Sequence, residues 1–274
     1  LNAAVDSGAT VEVTNSGTFT TAAAGDITST GTFTQNGAGT NSLAGNITTT
    51  DSNISFAKAI TLTGDVAMSS GTGAGTLTYS EAIDGTTDNT ESLTLTAGTG
   101  NIDFDAAVGA TKDLKDVTVV SAANVDTDST FAASTYTQSA GTGTTQFDGA
   151  VTLSGAMDFT GTNLTLNAAV DSSATVEVTN SGTFTTAAAG DITSTGTFTQ
   201  NGAGVNSLAG DITTTNSNIS FAKAITLTGN VAMSSGSGAG DITYSSTIDG
   251  TGSKAQDLTL TLGTGDLTFA AAVG

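Results

Sequence analysis

The chain has 274 residues, a formal net charge of −20, and no Cys, His, Pro or Trp. Its five cations are all lysines (Lys58, Lys112, Lys115, Lys223, Lys254). Phosphate and anionic-lipid contacts draw on Lys and Arg, so neither nucleic acid nor a polybasic membrane contact is expected as a partner. Nucleophile–base pairs built on Cys or His are excluded, as is a disulfide framework.

Only 11% of residues are charged, and 35 are Gly. The polar surface must therefore come from hydroxyls and amides. Regularly spaced Val, Ile, Leu and Phe argue against disorder. No apolar run reaches the ~20 residues of a membrane-spanning helix. No leader-like start is visible, and the chain begins inside a repeat, which points to a longer parent.

In chain order, the first feature is a long repeat. Residues 1–109 align with residues 166–274 at a constant offset of 165 without a gap, and 88 of the 109 paired positions are identical. The expected organisation is a first long repeat over 1–165, of about eight coils, followed by an incomplete second over 166–274, in one continuous solenoid. Inside the long unit a shorter motif recurs: LNAAV at Leu1, FAKAI at Phe56, YSEAI at Tyr79, FDAAV at Phe104 and FDGAV at Phe147. It returns as LNAAV at Leu166, FAKAI at Phe221, YSSTI at Tyr244 and FAAAV at Phe269. Gly followed by Asp or Asn and a branched apolar residue recurs at Gly25, Gly45 and Gly64. Between these signals apolar residues alternate, as at Ile60/Leu62, Leu93/Leu95 and Val117/Val119. Alternation broken by Gly and Asn/Asp reads as short half-buried strands, and Thr-rich, β-branched sequence disfavours helix.

The predicted fold is all-β, a parallel β-helix (β-solenoid) with coils of about 18–25 residues, each laying two or three strands. With strands ~4.8 Å apart, about thirteen coils would extend roughly 60 Å. The absence of Pro fits, because every strand must donate to its neighbour. A string of immunoglobulin-like sandwiches is the rival, and the 165-residue period suits it poorly. The Phe of the short motif is expected to point inward. The Gly of the Gly-Asp/Asn pairs is expected to supply positive φ at coil ends.

The stretches FDGAVTLSGAMDFTGTNLTLNAAV and LTLTAGTGNIDFDAAVG resemble the giant β-strand-repeat surface proteins of the filamentous haemagglutinin type, found in bacteria. The resemblance implies a right-handed solenoid, a place at the cell surface or outside the cell, and an adhesive or scaffolding role. Handedness follows from the resemblance alone.

Candidate chemistry is sparse, and no enzyme is expected. Parallel β-helices do host polysaccharide lyases and glycosidases, but most acids here change between the two copies, and there is no Trp or Arg to hold a sugar. The best calcium-ligating group is DGTTDNTE, where Asp84, Asp88 and Glu91 lie close in sequence. Its second copy reads DGTGSKAQ, with Lys254 inside the loop. Sequons at Asn46, Asn53, Asn163 and Asn218 are expected by chance in so Asn- and Thr-rich a chain. Expected partners are neighbouring repeats of the same chain and further copies in lateral or end-to-end association. The functional expectation is a stalk or scaffold segment of a secreted filament; the alternatives are an adhesin segment recognising glycans or proteins and, behind it, a solenoid enzyme.

Overall fold

The computed structural model describes residues 1–252 and 255–274, so the expectation placed on Lys254 falls outside the described residues. Among the described residues every regular element is a strand, most of them three to five residues long. The chain divides into two compact units, Leu1–Gly143 and Thr144–Gly274.

Each unit is a β-solenoid of three-strand coils. In the first unit one face stacks Val5–Ser7, Ile27–Ser29, Ile47–Thr49, Val66–Ser69 and Leu93–Thr96, all parallel. That face continues through Leu114–Ser121 and Phe131–Gln138. A second face stacks Val11–Val13, Phe33–Gln35, Ile54–Phe56, Leu77–Tyr79, Ile102–Phe104 and Val125–Thr127. The third runs Phe19–Thr21, Asn41–Leu43, Ile60–Leu62 and Ile83–Asp84, then through the bridging residues Val108 and Phe131.

The second unit repeats the plan. Its first face contains Val170–Ser172, Ile192–Ser194, Ile212–Thr214, Val231–Ser234 and Leu258–Thr261. Its second contains Val176–Asn180, Phe198–Gln200, Ile219–Phe221, Ile242–Tyr244 and Leu267–Phe269. Its third contains Thr183–Thr186, Val205–Leu208, Ile225–Leu227 and Ile248–Gly250.

Side chains alternate across each strand, so residues flanking an outward Thr or Ser point to the coil interior. In Ile47–Thr49 and Ile60–Leu62 the two flanking residues are buried and the middle Thr is exposed. The short-motif aromatics, together with Phe33 and Phe198, form interior ladders. In the first unit Phe33, Phe56, Tyr79 and Phe104 follow one another at centroid separations of 5.2, 6.2 and 5.1 Å. In the second, Phe198, Phe221, Tyr244 and Phe269 follow at 5.2, 6.0 and 5.2 Å. Phe56, Phe104, Phe147 and Phe221 are buried as expected, whereas Phe269 is 41% exposed although its ring lies on Tyr244. It belongs to the last coil, with no coil beyond to cover it among the described residues.

Register partners are 19 to 27 residues apart: Val117 pairs with Tyr136 and Val66 with Leu93. The 27-residue coil exceeds the predicted range because it contains the loop Gly85–Thr90.

The Gly-Asp/Asn expectation needs a correction. Positive φ occurs at Gly71, Gly98, Gly109, Gly236 and Gly274, and at Asp51, Asn89 and Asn216, so at none of the pair glycines. What most of those glycines provide is close approach between coils. A Cβ on Gly45 would lie 2.6 Å from the Gly25 carbonyl oxygen, and one on Gly210 2.5 Å from that of Gly190. Gly64 is different: its nearest neighbour would be the Ala44 Cβ at 3.2 Å.

Candidate functional site: side-chain ladders between coils and the acidic loop

The polar side chains at coil corners are mostly engaged with the next coil. Asp26 Oδ1 accepts the Asn46 N–H at 2.7 Å, Asn46 Oδ1 accepts the Ala67 N–H at 2.7 Å, and Asp65 Oδ1 accepts the Ser92 N–H at 2.9 Å. In the second unit Asp191, Asp211 and Asn230 accept the N–H groups of Asp211, Ala232 and Asp257 in the same way. A carboxylate and an amide both present Oδ1 as an acceptor. This explains why the copies exchange Asn46 for Asp211 and Asp65 for Asn230. The same holds at the positive-φ corner: Asp51 and Asn216 each accept an N–H, from Gly73 and Gly238, at 2.6 Å. The sequon asparagines serve this role too: Asn53, Asn163 and Asn218 accept the N–H groups of Thr76, Thr183 and Asp241.

The calcium candidates are held by protein donors. Asp84 Oδ1 accepts the N–H groups of Thr111 and Lys112 at 2.8 and 3.2 Å. Asp88 pairs with the Lys112 ammonium at 3.2 Å and accepts the Asp113 N–H at 3.3 Å. Glu91 accepts the Thr86 N–H at 3.1 Å, the Thr90 hydroxyl at 2.6 Å and the Thr86 hydroxyl. Burial pushes the Glu91 carboxyl up, but the hydrogen bonds from Thr86 and Thr90 outweigh it and hold it below the ordinary glutamate range. In the second copy Gln256 takes over: its Oε1 accepts the Thr251 N–H at 3.0 Å and its Nε2 donates to the Thr251 hydroxyl at 2.7 Å. The neutral amide closes the same loop, which marks the position as a loop tie.

Lys58 forms a surface ion pair with Glu81 at 2.7 Å. That hydrogen bond holds the Glu81 carboxyl below its ordinary value. Ser246 replaces Glu81 in the second copy. The three tyrosines, the available material for an aromatic ligand platform, are buried. The hydroxyls of Tyr79 and Tyr244 donate to the sulfurs of Met68 and Met233, and that of Tyr136 to Gln138 Oε1.

Two features escaped the sequence reading. One is a buried amide cluster, present in both units. Gln35 Nε2 donates to Asn15 Oδ1 at 2.7 Å and to the Gly37 and Gly39 carbonyls, and Asn41 Nδ2 donates to the Lys58 carbonyl at 2.9 Å. Gln200, Asn180 and Asn206 reproduce it. Its signal was available: FTQNGAG recurs unchanged at 33–39 and 198–204. The other is an acidic stack on the second face of the first unit, where Asp103 and Asp126 are register partners. Partial burial, then the charges of Asp105, Asp126 and Asp128, push the Asp103 carboxyl above its ordinary value. The second copy has Thr268 and Ala270 at the positions of Asp103 and Asp105.

No protein-family model, no curated protein and no solved structure matches the chain.

Proposed function

We propose that the chain is a structural segment of a long repetitive surface or extracellular-fibre protein, acting as stalk or scaffold. One observation supports this reading above the rest. At four of the five positions where the two copies exchange acid and amide, 46/211, 51/216, 65/230 and 91/256, the same backbone hydrogen bond or loop tie is kept. A catalytic carboxylate depends on its charge and would not tolerate that exchange, and a cation site loses affinity with each charge removed, whereas a corner acceptor needs only an oxygen in place. What the repeats keep is coil geometry.

The placement outside the cell rests on the likeness to haemagglutinin-type repeat proteins and on a surface of hydroxyls and amides. The direct test is binding. The purified chain is passed over immobilised glycans and whole bacterial and animal cells, and in parallel stretched between end handles by single-molecule force spectroscopy. A stalk gives no saturable binding and a regular series of unfolding steps. Saturable binding to one glycan or protein would replace the scaffold reading with the adhesin reading.

A further inference from the structure

Both units narrow at the same corner, between the second and third faces. In the first unit Gln35 and Asn41 are buried on either side of that corner, six positions apart. Their register partners in the next coil, Phe56 and Ile60, are only four apart. In the second unit Gln200 and Asn206 pair with Phe221 and Ile225, with the same loss of two residues. The following coils keep the short corner, from Tyr79 to Ile83 and from Tyr244 to Ile248. Three corner residues cannot face five, so part of the wider corner has no strand partner in the next coil. The glutamine supplies a donor there. Gln35 Nε2 bonds the Gly37 and Gly39 carbonyls at 3.1 and 3.2 Å, and Gln200 Nε2 those of Gly202 and Gly204 at 3.3 and 3.4 Å.

The same amides tie three coils together. In the preceding coil Asn15 accepts from Gln35 at 2.7 Å and donates to the Thr40 carbonyl at 3.2 Å. Asn41 Nδ2 donates to the Lys58 and Ala59 carbonyls of the next coil at 2.9 and 3.2 Å, and lies 3.5 Å from Gln35 Oε1. In the second unit Asn180 accepts from Gln200 at 2.8 Å, and Asn206 donates to the Lys223 and Ala224 carbonyls at 3.2 and 3.1 Å. The arrangement has a cost. Asn41 Oδ1 and Asn206 Oδ1, on residues that are each 1% exposed, accept no hydrogen bond among the described residues. A buried acceptor without a partner is destabilising, and an apolar side chain of similar size avoids the penalty. Both copies keep it. Fixing register is the best-attested use of such buried polar groups.

We propose that this amide cluster is a register lock, one in each long repeat, that fixes where the third-face strand sits against the next coil. Strands as alike as Ile47–Thr49 and Ile60–Leu62 carry little else to fix it, because their alternation survives a slide of two residues. The competing register moves Asn41–Leu43 by two, so that Gly39 faces Ile60, Asn41 faces Leu62, and both corners are short. Ser42 stays outside, and Leu43 stays inside but leaves its partner Leu62. That slide costs one apolar contact at Leu43. It also breaks the bonds from Asn41 to the Lys58 and Ala59 carbonyls. In a long array of similar coils such slides would accumulate, and FTQNGAG, present once in each copy, resets the register. The lock goes beyond the scaffold reading and does not depend on it.

The test uses the 274-residue chain, which has no native Cys. Ser42→Cys with Thr61→Cys reports the native register, in which the two are partners. Ser42→Cys with Thr63→Cys reports the slid register; in the native one these positions lie about 8 Å apart, too far for a disulfide. Each pair is refolded and oxidised in the parent and in Gln35→Met/Asn41→Leu, and the disulfide yield is read by mass spectrometry. The parent should join only 42 to 61. The variant should keep its β-sheet circular dichroism and join 42 to 63 with a yield comparable to that of 42 to 61. The second unit supplies the control. Gln200→Met/Asn206→Leu should leave the pairing at 42 and 61 unchanged and let Ser207→Cys join Thr228→Cys as well as its native partner position, Thr226→Cys. If the double substitution unfolds the chain, Asn41→Leu alone, which keeps Gln35 and removes the unpaired oxygen, is read in the same way. A folded variant that joins only 42 to 61 overturns the lock. Loss of fold in both variants also overturns it, because the cluster is then a source of stability and not of register.

Discussion

Gly45 and Gly64 begin the same short pattern, Gly-Asn/Asp followed by a branched apolar residue, yet their surroundings separate them. Replacing Gly45 by Ala puts a Cβ 2.6 Å from the Gly25 carbonyl oxygen, well inside contact distance, so the coils must shift apart locally. Overpacking of this kind costs about 1–3 kcal/mol. Loss of unfolded-chain freedom returns about 0.4–1 kcal/mol. The net expectation for Gly45→Ala is a loss of roughly 1–2 kcal/mol. At Gly64 the new Cβ meets the Ala44 Cβ at 3.2 Å, which a local backbone shift of a few tenths of an ångström relieves. Gly64→Ala should therefore lie within about 0.5 kcal/mol of the parent. A repeat array need not unfold as one unit, so a global melt can hide a local change. Hydrogen exchange is the better assay, read at the amides of Ala44, Gly45 and Ile27, all bonded to atoms in neighbouring coils. Equal losses for the two variants, or a larger loss at Gly64, would refute close approach as the reason for these glycines.

Phe221 sits between Phe198 and Tyr244 at 5.2 and 6.0 Å, so Phe221→Ala should cost about 3–5 kcal/mol in urea unfolding of the surrounding coils; a change under about 0.5 kcal/mol would remove the aromatic ladder as a source of stability. Asp26→Asn should be near neutral, because the Oδ1 acceptor for the Asn46 N–H survives, whereas Asp26→Ala should unprotect that amide in exchange experiments. Across the window between the ordinary aspartate value and the raised value of Asp103, the folded chain holds a proton the unfolded chain has released. Stability should fall as pH rises through that window, and Asp103→Asn should flatten the slope in pH-dependent melts. Glu91→Gln should keep the loop as Gln256 keeps its counterpart, and chelator should leave the circular dichroism of the parent chain unchanged; a chelator-induced loss of β-signal would make Asp84, Asp88 and Glu91 metal ligands.

Much of the fold was legible because a solenoid writes its period into the sequence. Alternation at Ile60/Leu62 and Leu93/Leu95 placed strands and their inward faces, and the recurring Phe and Tyr located the interior ladder. What stayed hidden depended on which atoms of one coil meet the next, some 20 residues away. The role of Gly45 is set by the Gly25 carbonyl, and nothing local to Gly45 reveals that approach. The amide cluster joins Gln35 to Asn15 and Asn41 through register, and the recurrence of FTQNGAG does not show which residues its Gln meets. Phe269 shares its motif with Phe104, and only the coil beyond decides whether either is covered. The spacing of Asp84, Asp88 and Glu91 shows their proximity, while the backbone and hydroxyl donors that engage them become visible only in three dimensions.

The central claim is that the chain climbs coil by coil in fixed register, and a distance measurement tests it most directly. Asp6, Thr28, Thr48, Ser69, Thr96 and Ser121 are successive register partners on one face of the first unit. Five steps of ~4.8 Å put Asp6 and Ser121 about 24 Å apart at the backbone. Spin labels on Asp6→Cys and Ser121→Cys, read by double electron–electron resonance, should give one narrow distance distribution near that value, broadened only by the label arms. A broad distribution, or a maximum far from it, would contradict the stacked-coil account.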